Sequence, residues 1–151
     1  MIKWKEERKV RENIEDVWVL FSDENIKRIM PKVVEHQLIK GTETEAGAVH
    51  QQTYKEGDRL ESYEVRTLAY EDIPQKKHKK IQFVISGMFE VTADFQLSES
   101  EDGLTMFQYS GRNKGITVLS KLMLLFANRK GNARVVREFM DRVEREAEMK
   151  H

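Results

Sequence analysis

The feature that most constrains the fold is a change of hydrophobic period within the chain. From Val33 onward apolar side chains alternate with polar ones, and after Gly115 they recur at helical spacing to the end. Alternation predicts strands, and a spacing of 3.6 residues predicts a helix. Turn-forming residues divide the alternating part into six predicted strands, at roughly 33–40, 48–55, 59–71, 80–86, 88–98 and 104–112. Their short connections indicate antiparallel neighbours in a meander.

The N-terminal part of the chain adds one strand and two short helices. Residues 2–10 alternate and predict the strand. Asn13 is a good N-cap for the first helix. A second helix, capped by Ser22 or Asp23, is predicted from Glu24 to Met30 and ends at the proline that follows.

This order of elements predicts one α+β domain over residues 1–151. Its curved antiparallel β-sheet is wrapped around a long C-terminal helix, with two short helices after the first strand. The long helix needs an apolar surface to lie on, and the concave face of the sheet is the only large one available. A sheet that curls around a helix without full contact leaves a cavity between them.

The C-terminal segment carries two apolar stripes on either side of Gly131. The first consists of Ile116, Leu119, Leu122, Met123 and Phe126, and the second of Val135, Val136, Phe139, Met140, Val143 and Ala147. A glycine inside a helix costs about 1 kcal/mol relative to alanine, so Gly131 predicts a kink, a break or a soft point. The first stripe contains Lys121 and is far shorter than the about 20 residues of a bilayer span, so we expect no stable membrane insertion. It is either plain core or one wall and gate of the cavity.

Composition narrows the classes of function. The 26 basic and 26 acidic residues balance, so the chain has no general attraction to nucleic acid or anionic membranes. The absence of cysteine excludes thiol catalysis, disulfides and thiolate metal sites, and it is typical of a reducing compartment. The charged N-terminus lacks the apolar region of a signal peptide. We therefore expect a cytoplasmic protein without a cofactor, present as a monomer or weak homodimer.

Several short motifs resemble those of a known superfamily. They are Val17-Trp18 followed by Asp23, the pair Met30-Pro31, and the turn Ala46-Gly47-Ala48 after Gly41. Together with the element order, they make residues 1–148 similar to the START-type helix-grip superfamily (SRPBCC), and within it to the polyketide cyclase/dehydrase and lipid-transport group. The resemblance implies a cavity that holds a small hydrophobic or amphipathic molecule, as in a carrier or sensor. The superfamily also includes cyclases and chaperone regulators, and no catalytic dyad can be matched, so enzymatic activity stays open.

Nine side chains are the candidates for contact with such a ligand. They are Trp18, Tyr63, Phe83, Phe89, Phe107, Tyr109, Leu119, Met123 and Phe126. Trp18 is either a core anchor or part of the pocket wall. The hydroxyls of Tyr63 and Tyr109 need partners if buried and can orient the polar head of a ligand. A bulge at Ser86-Gly87 would exchange the two faces of the flanking strands, so their facing stays open.

Acid–base groups would distinguish a carrier from a cyclase or dehydratase, which needs such groups inside its cavity. The residues whose direction decides this are His50, Glu64, Arg66 and Asp94. His50 is the best general-base candidate if it points inward.

Histidine spacing bears on metal binding. The chain contains four histidines, His36, His50, His78 and His151. No pair has the spacing of a metal motif, and no His-Glu-x-x-His sequence occurs, which predicts no metal site.

The run from Gln75 to Lys80, QKKHKK, is predicted to be a basic, solvated hairpin tip. The alternative is that the lysines contact phosphates of RNA or of lipid headgroups. The protein would then be an interaction module that acts on RNA or a ribosome, a chaperone, or a membrane surface. No aromatic residues interleave with the lysines, and nucleotide-binding motifs are absent, so nucleic acid is not the expected partner.

Overall fold

The structure is a computed structural model that describes residues 1–125 and 129–149. Within these residues the strands are β1 (Ile2–Val10), β2 (Val33–Lys40), β3 (Val49–Glu56), β4 (Arg59–Ile73), β5 (Lys76–Ile85), β6 (Phe89–Glu99) and β7 (Thr105–Gly115). The helices are α1 (Ile14–Trp18), a 3₁₀ turn (Val19–Phe21), α2 (Ile26–Ile29), α3 (Val118–Leu125) and α4 (Arg129–Glu148).

The seven described strands form one antiparallel sheet in the order β1-β7-β6-β5-β4-β3-β2. Strands β2 to β7 are the predicted meander. β1 pairs with β7 along its whole length, from Ile2 opposite Asn113 to Val10 opposite Thr105. The predicted fold class, an antiparallel sheet with a long C-terminal helix and short helices after the first strand, is confirmed.

The turn between β5 and β6 fixes which side chains face α4. Ser86 and Gly87 both adopt left-handed backbone angles, with φ of 56° and 64°, and the turn lets Ile85 pair with Phe89. Directly opposed residues share a face of the sheet. The side chain of Phe89 therefore lies on the same face as Phe83, which we call the inner face because α4 packs against it.

The hairpin between β4 and β5 is tighter than the sequence predicted. β5 begins at Lys76 rather than near residue 80, so the predicted solvated hairpin tip is wrong for most of its length. Lys77 and Lys79 point to the inner face and are only 2% and 6% exposed. Lys77 is paired with the carboxylates of Glu15 and Asp72. The run contains no apolar side chain before Ile81, and this is why alternation could not reveal its phase.

The short helices confirm one predicted cap and correct another. Asn13 Oδ1 accepts a hydrogen bond from the backbone N–H of Asp16, 3.0 Å away, as an N-cap should. α2 is shorter than predicted, and neither Ser22 nor Asp23 is its N-cap, a position held by Asn25. The carboxylate of Asp23 is directed to two histidines instead.

Within the described residues the C-terminal segment comprises α3 and α4, which have different surroundings. α4 buries most of its stripe in the main core, where Val136, Met140 and Val143 are at most 3% exposed. Gly131 is helical and lies within α4, and a kink, break or soft point there stays a prediction. α3 contacts the end of β7, and its single buried residue is Ser120.

Candidate functional site

The inner face of the sheet has a polar end and an apolar end. At the polar end, between the sheet and the side chains of Phe21 and Ile26, lies a cavity of about 20 Å³. Its polar lining residues are His36, His50, Gln52, Thr67 and Lys79. A space of this size holds about one water molecule.

Asp23 joins two histidines that come from neighbouring strands. β2 supplies His36, β3 supplies His50, and the loop before α2 supplies Asp23. His50 Nε2 lies 2.8 Å from Asp23 Oδ2, and His36 Nε2 lies 3.2 Å from Asp23 Oδ1. The two imidazole rings stack with their centroids 4.4 Å apart. We call these three side chains the Asp-His-His cluster.

The Asp-His-His cluster is largely removed from water. The side chains of His50 and His36 are 2% and 6% exposed, and that of Asp23 is 22% exposed. Burial acts to raise the pKa of the Asp23 carboxyl, but the hydrogen bonds from the two histidines outweigh it and hold that pKa well below its usual range. The backbone N–H of Asp23 donates to Glu43 Oε1 at 2.9 Å, which anchors the loop.

A hydrogen-bonded chain leads from the cluster toward the apolar end. Gln52 Oε1 lies 2.8 Å from His36 Nδ1, and Gln52 Nε2 donates to the hydroxyl of Tyr63 at 2.9 Å. Tyr63 in turn stacks its ring on Phe83, with centroids 5.0 Å apart. Tyr63 therefore connects the two ends, since its hydroxyl belongs to one and its ring to the other.

Two further polar groups line the cavity. Lys79 Nζ donates to the backbone carbonyl of Phe21 at 3.1 Å. Burial lowers the pKa of the Lys79 ammonium, and the carboxylates of Asp23 and Glu43 offset this only in part. Thr67 is 2% exposed, and its hydroxyl has no hydrogen-bond partner in the described part of the chain. The cavity thus offers donors and acceptors that the protein itself does not fully satisfy.

The apolar end is formed by aromatic side chains that are not fully covered. Tyr63, Phe83 and Phe89 lie on the inner face and are each half-buried. The partly covered face extends to Ile85 and Val91, which are also half-buried. These three of the predicted ligand-binding residues therefore occupy one continuous surface.

Three other predicted ligand-binding residues belong to the packed core. Trp18 is 8% exposed, and its ring packs 5.6 Å from that of Tyr70. Phe107 is fully buried. Tyr109 stacks on Phe95 and packs against Phe139 of α4. All three side chains are thus packed among core residues. Their contact with a ligand stays a prediction.

The remaining predicted ligand-binding residues come from the first apolar stripe. Leu119 and Met123 lie on α3 and are 59% and 47% exposed. Phe126 lies outside the described residues. A role for these side chains as wall or gate stays a prediction.

Only one of the four residues that distinguish carrier from enzyme faces inward. His50 is 1% exposed on the inner face. Glu64 and Arg66 flank the buried Val65 and are exposed on the outer face. Asp94 is also on the outer face, where its carboxylate lies 3.0 Å from His78 Nε2.

Comparison with known proteins assigns the family. The family model described as polyketide cyclase/dehydrase and lipid transport matches residues 1–148. The chain belongs to this family. A search of curated proteins finds no match.

Solved structures that share the fold of this family member have little sequence in common with it. Ara h 8.0201 has a TM-score of 0.70 at 13% identity, over 99% of both chains. The hypothetical protein jhp0584 from Helicobacter pylori has a TM-score of 0.75 at 10% identity, over 97% of this chain and 88% of its own. The major latex-like protein 151 from Panax ginseng has a TM-score of 0.65 at 11% identity, over 95% of both chains. At such low identity the likeness shows the fold alone.

In this family member, spacing along the chain missed the Asp-His-His cluster. The sequence predicted no metal site, yet the structure brings the potential ligand atoms of Asp23, His36 and His50 within 4.8 Å of one another. Thirteen residues separate Asp23 from His36 along the chain, so no local motif connects them. The usable signal was that two predicted neighbouring strands each carry a histidine. None of the described helices is long and apolar enough to cross a membrane.

Proposed function

We propose that the protein binds a small hydrophobic or amphipathic molecule, of lipid or polyketide type, on the inner face of its sheet and acts as a carrier or sensor. The observation that supports this is the partly covered aromatic surface of Tyr63, Phe83 and Phe89 beside a buried polar end. Removing apolar ligand surface from water contributes about 25 cal/mol per Å². The polar end would set the orientation of the ligand.

The position of Tyr63 favours an amphipathic ligand. Its ring extends the apolar surface through Phe83, while its hydroxyl is part of the chain that leads through Gln52 to His36. A ligand whose apolar body lies on Phe83 and Phe89 would place its polar group near the hydroxyl of Tyr63. The cavity at the polar end holds about one water molecule, so it is too small to be the ligand cavity that the sequence predicted. The ligand body would therefore occupy the partly covered part of the inner face.

The directions of the acid–base candidates favour a carrier or sensor over a cyclase or dehydratase. Glu64, Arg66 and Asp94 are turned away from the ligand surface. An enzyme would then depend on the acid–base groups of the polar end, which are His50 and His36 with Asp23, and Lys79. Catalysis at the polar end is therefore the alternative function. Turnover in an activity screen with aromatic polyketide substrates would support it.

Native mass spectrometry of protein purified from cells, followed by extraction, tests the proposal. A stoichiometric lipid or polyketide supports it. Anilinonaphthalene sulfonate provides a quantitative probe: Phe83→Ala should weaken its binding about 10- to 100-fold, because one buried aromatic contact contributes about 1.5–3 kcal/mol. Val84→Ala is the matched control, since Val84 is the next residue and lies on the outer face. Equal binding by both variants, with no extracted molecule, would contradict the proposal.

A second candidate function is reversible contact with an anionic membrane surface through α3. Its exposed apolar side chains are Val118, Leu119, Leu122, Met123 and Leu125, which are 47–77% exposed. Seven basic residues and no acidic residue occur between Asp102 and Glu138, in a chain whose total charges balance. Exposed apolar side chains with local positive charge are typical of helices that lie in the headgroup region of anionic membranes.

Vesicle co-sedimentation tests this second function. Binding is expected to vesicles of phosphatidylcholine with phosphatidylglycerol and to be weak with phosphatidylcholine alone. Leu119→Glu should abolish it. Leu60→Glu is the matched control, because Leu60 is a leucine of similar exposure, 62%, that lies on β4. Binding that is equal for both vesicle types, or equally reduced in both variants, would argue against a specific membrane face.

A further inference from the structure

The Asp-His-His cluster has the donor set of a transition-metal site. One ring nitrogen of each histidine and a carboxylate oxygen of Asp23 lie within 4.8 Å of one another. Two imidazole nitrogens and one carboxylate oxygen suit zinc and similar divalent ions, whereas calcium and magnesium prefer oxygen ligands alone. We infer that Asp23, His36 and His50 form a binding site for a divalent transition-metal ion of the zinc class.

The hydrogen bonds at His36 favour a cation at this position. Its Nδ1 lies 2.8 Å from Gln52 Oε1, and the Gln52 amide is oriented so that its Nε2 donates to Tyr63. With Nδ1 hydrogen-bonded to the amide oxygen, Nε2 of His36 faces Asp23 Oδ1 at 3.2 Å. A metal ion in place of the hydrogen between these two atoms would be bound by both of them.

The surroundings of the cluster fit those of a protein metal site. Metal-bound histidines usually donate their other N–H to an oxygen, which fixes the ring, and Gln52 accepts such a bond from His36. Both histidines are at least nine-tenths buried, while the partly exposed Asp23 leaves an entry path. The adjoining cavity of about 20 Å³ can hold a water molecule as the fourth ligand.

Little movement is needed to bind the ion. Metal–ligand bonds of about 2.0–2.2 Å place tetrahedral ligand atoms roughly 3.4 Å apart. The contacts of Asp23 with His50 and His36 are already 2.8 and 3.2 Å. Lys79 also lines the cavity and adds positive charge, which the carboxylate of Glu43 next to the Asp23 backbone counters.

Cobalt(II) is a suitable probe, because its visible absorption reports ligand number and geometry. Protein without an affinity tag, first dialysed against a chelator, is titrated with Co²⁺ and then with Zn²⁺ in competition. We expect one Co²⁺ per chain, with visible bands that Zn²⁺ removes. On Zn²⁺ addition, nitrogen NMR of the wild-type imidazoles should show shifts of His36 and His50 Nε2 but not of His78.

Variants locate the site. His50→Gln and Asp23→Asn should lower Co²⁺ affinity at least 100-fold, and Gln52→Leu should lower it about 10- to 100-fold through loss of ring positioning. His78→Gln is the matched control: His78 also contacts a carboxylate, Asp94, but without a second histidine. Circular dichroism checks that each variant folds, and the wild-type NMR result does not depend on any variant. Absence of Co²⁺ and Zn²⁺ uptake at millimolar concentration, or shifts confined to His78, would overturn the inference.

Discussion

The two C-terminal helices have similarly apolar stripes but opposite surroundings. In α4, Met140 and Val143 are 1% and 0% exposed and pack into the main core. In α3, Val118 and Leu125 are 77% and 75% exposed. Apolar spacing therefore identifies a helix face without saying what covers it.

The two helices meet different parts of the fold. α4 reaches β1, α1 and α2, so its stripe meets apolar side chains from several elements. α3 rests on the end of β7, where its buried Ser120 lies against Gly115. Most of the apolar side chains of α3 therefore stay exposed.

The largest expected effect comes from truncating the buried stripe of α4. Met140→Ala should lower the free energy of unfolding by about 2–5 kcal/mol, because it removes a buried side chain and leaves a cavity. The matched control is Met123→Ala on α3, where the methionine is 47% exposed. Urea denaturation measures both. If the two variants lost equal stability, the contrast between the helices would be false.

Much of the fold followed from the sequence because alternation and helical spacing are local patterns. The alternation of β6 was readable from Phe89 to Leu97, since apolar and polar residues alternate there without exception, but a possible bulge at Ser86-Gly87 left open which of its faces points inward. The phase of β5 was not readable, because Lys77 and Lys79 are buried among further basic residues. Their burial depends on partners from other elements, such as the Phe21 carbonyl bound by Lys79.

The candidate site was predictable in part for the same reason. The inner-face aromatics Phe83 and Phe89 lie on predicted strands and were found. The Asp-His-His cluster was not found, because it is assembled from a loop and two strands and no rule of spacing joins them. The exposure of α3 was equally invisible, because a stripe of leucines and methionine looks the same whether it is core or surface.

A smaller effect is expected where α3 rests on the sheet. A Cβ at Gly115 would lie 2.7 Å from the backbone nitrogen of Lys121 and 2.8 Å from the carbonyl carbon of Ser120. Gly115→Ala must therefore push α3 away and should cost about 1–3 kcal/mol. Amide hydrogen exchange in α3 should be faster in the variant than in the wild type, and exchange in α4 should change less. Lys114→Ala, one residue earlier and exposed, is the control. Unchanged exchange in α3 would mean that it does not rest on Gly115.

Alkaline pH tests the packing under α4 more finely. Tyr109 lies against Phe139 of α4, with ring centroids 4.9 Å apart, and burial raises the pKa of its hydroxyl. The unfolded chain then releases this proton first, near pH 10, so the free energy of unfolding falls as pH rises above that value. At pH 11 the loss is about 1.4 kcal/mol per protected tyrosine.

Comparison with Tyr109→Phe isolates this contribution. The pKa values of Tyr54, Tyr63 and Tyr70 are also raised, mainly by burial, but these residues are present in both proteins. Urea denaturation at pH 8 and pH 11 should show a steeper loss of stability in the wild type than in the variant. Parallel pH dependence in the two proteins would mean that α4 does not keep Tyr109 from ionising.

The smallest effect on stability is expected at the exposed tip of α3. Leu125→Gln should change the free energy of unfolding by no more than about 0.5 kcal/mol, because the leucine is 75% exposed when folded and gains little from folding. The same substitution should weaken binding to anionic vesicles, since it removes apolar surface from the proposed membrane face. A loss of more than about 1.5 kcal/mol would place α3 against the sheet in solution and erase the contrast with α4. Neutral stability with weaker vesicle binding would show that the apolar face of α3 serves contact with a membrane and not the fold.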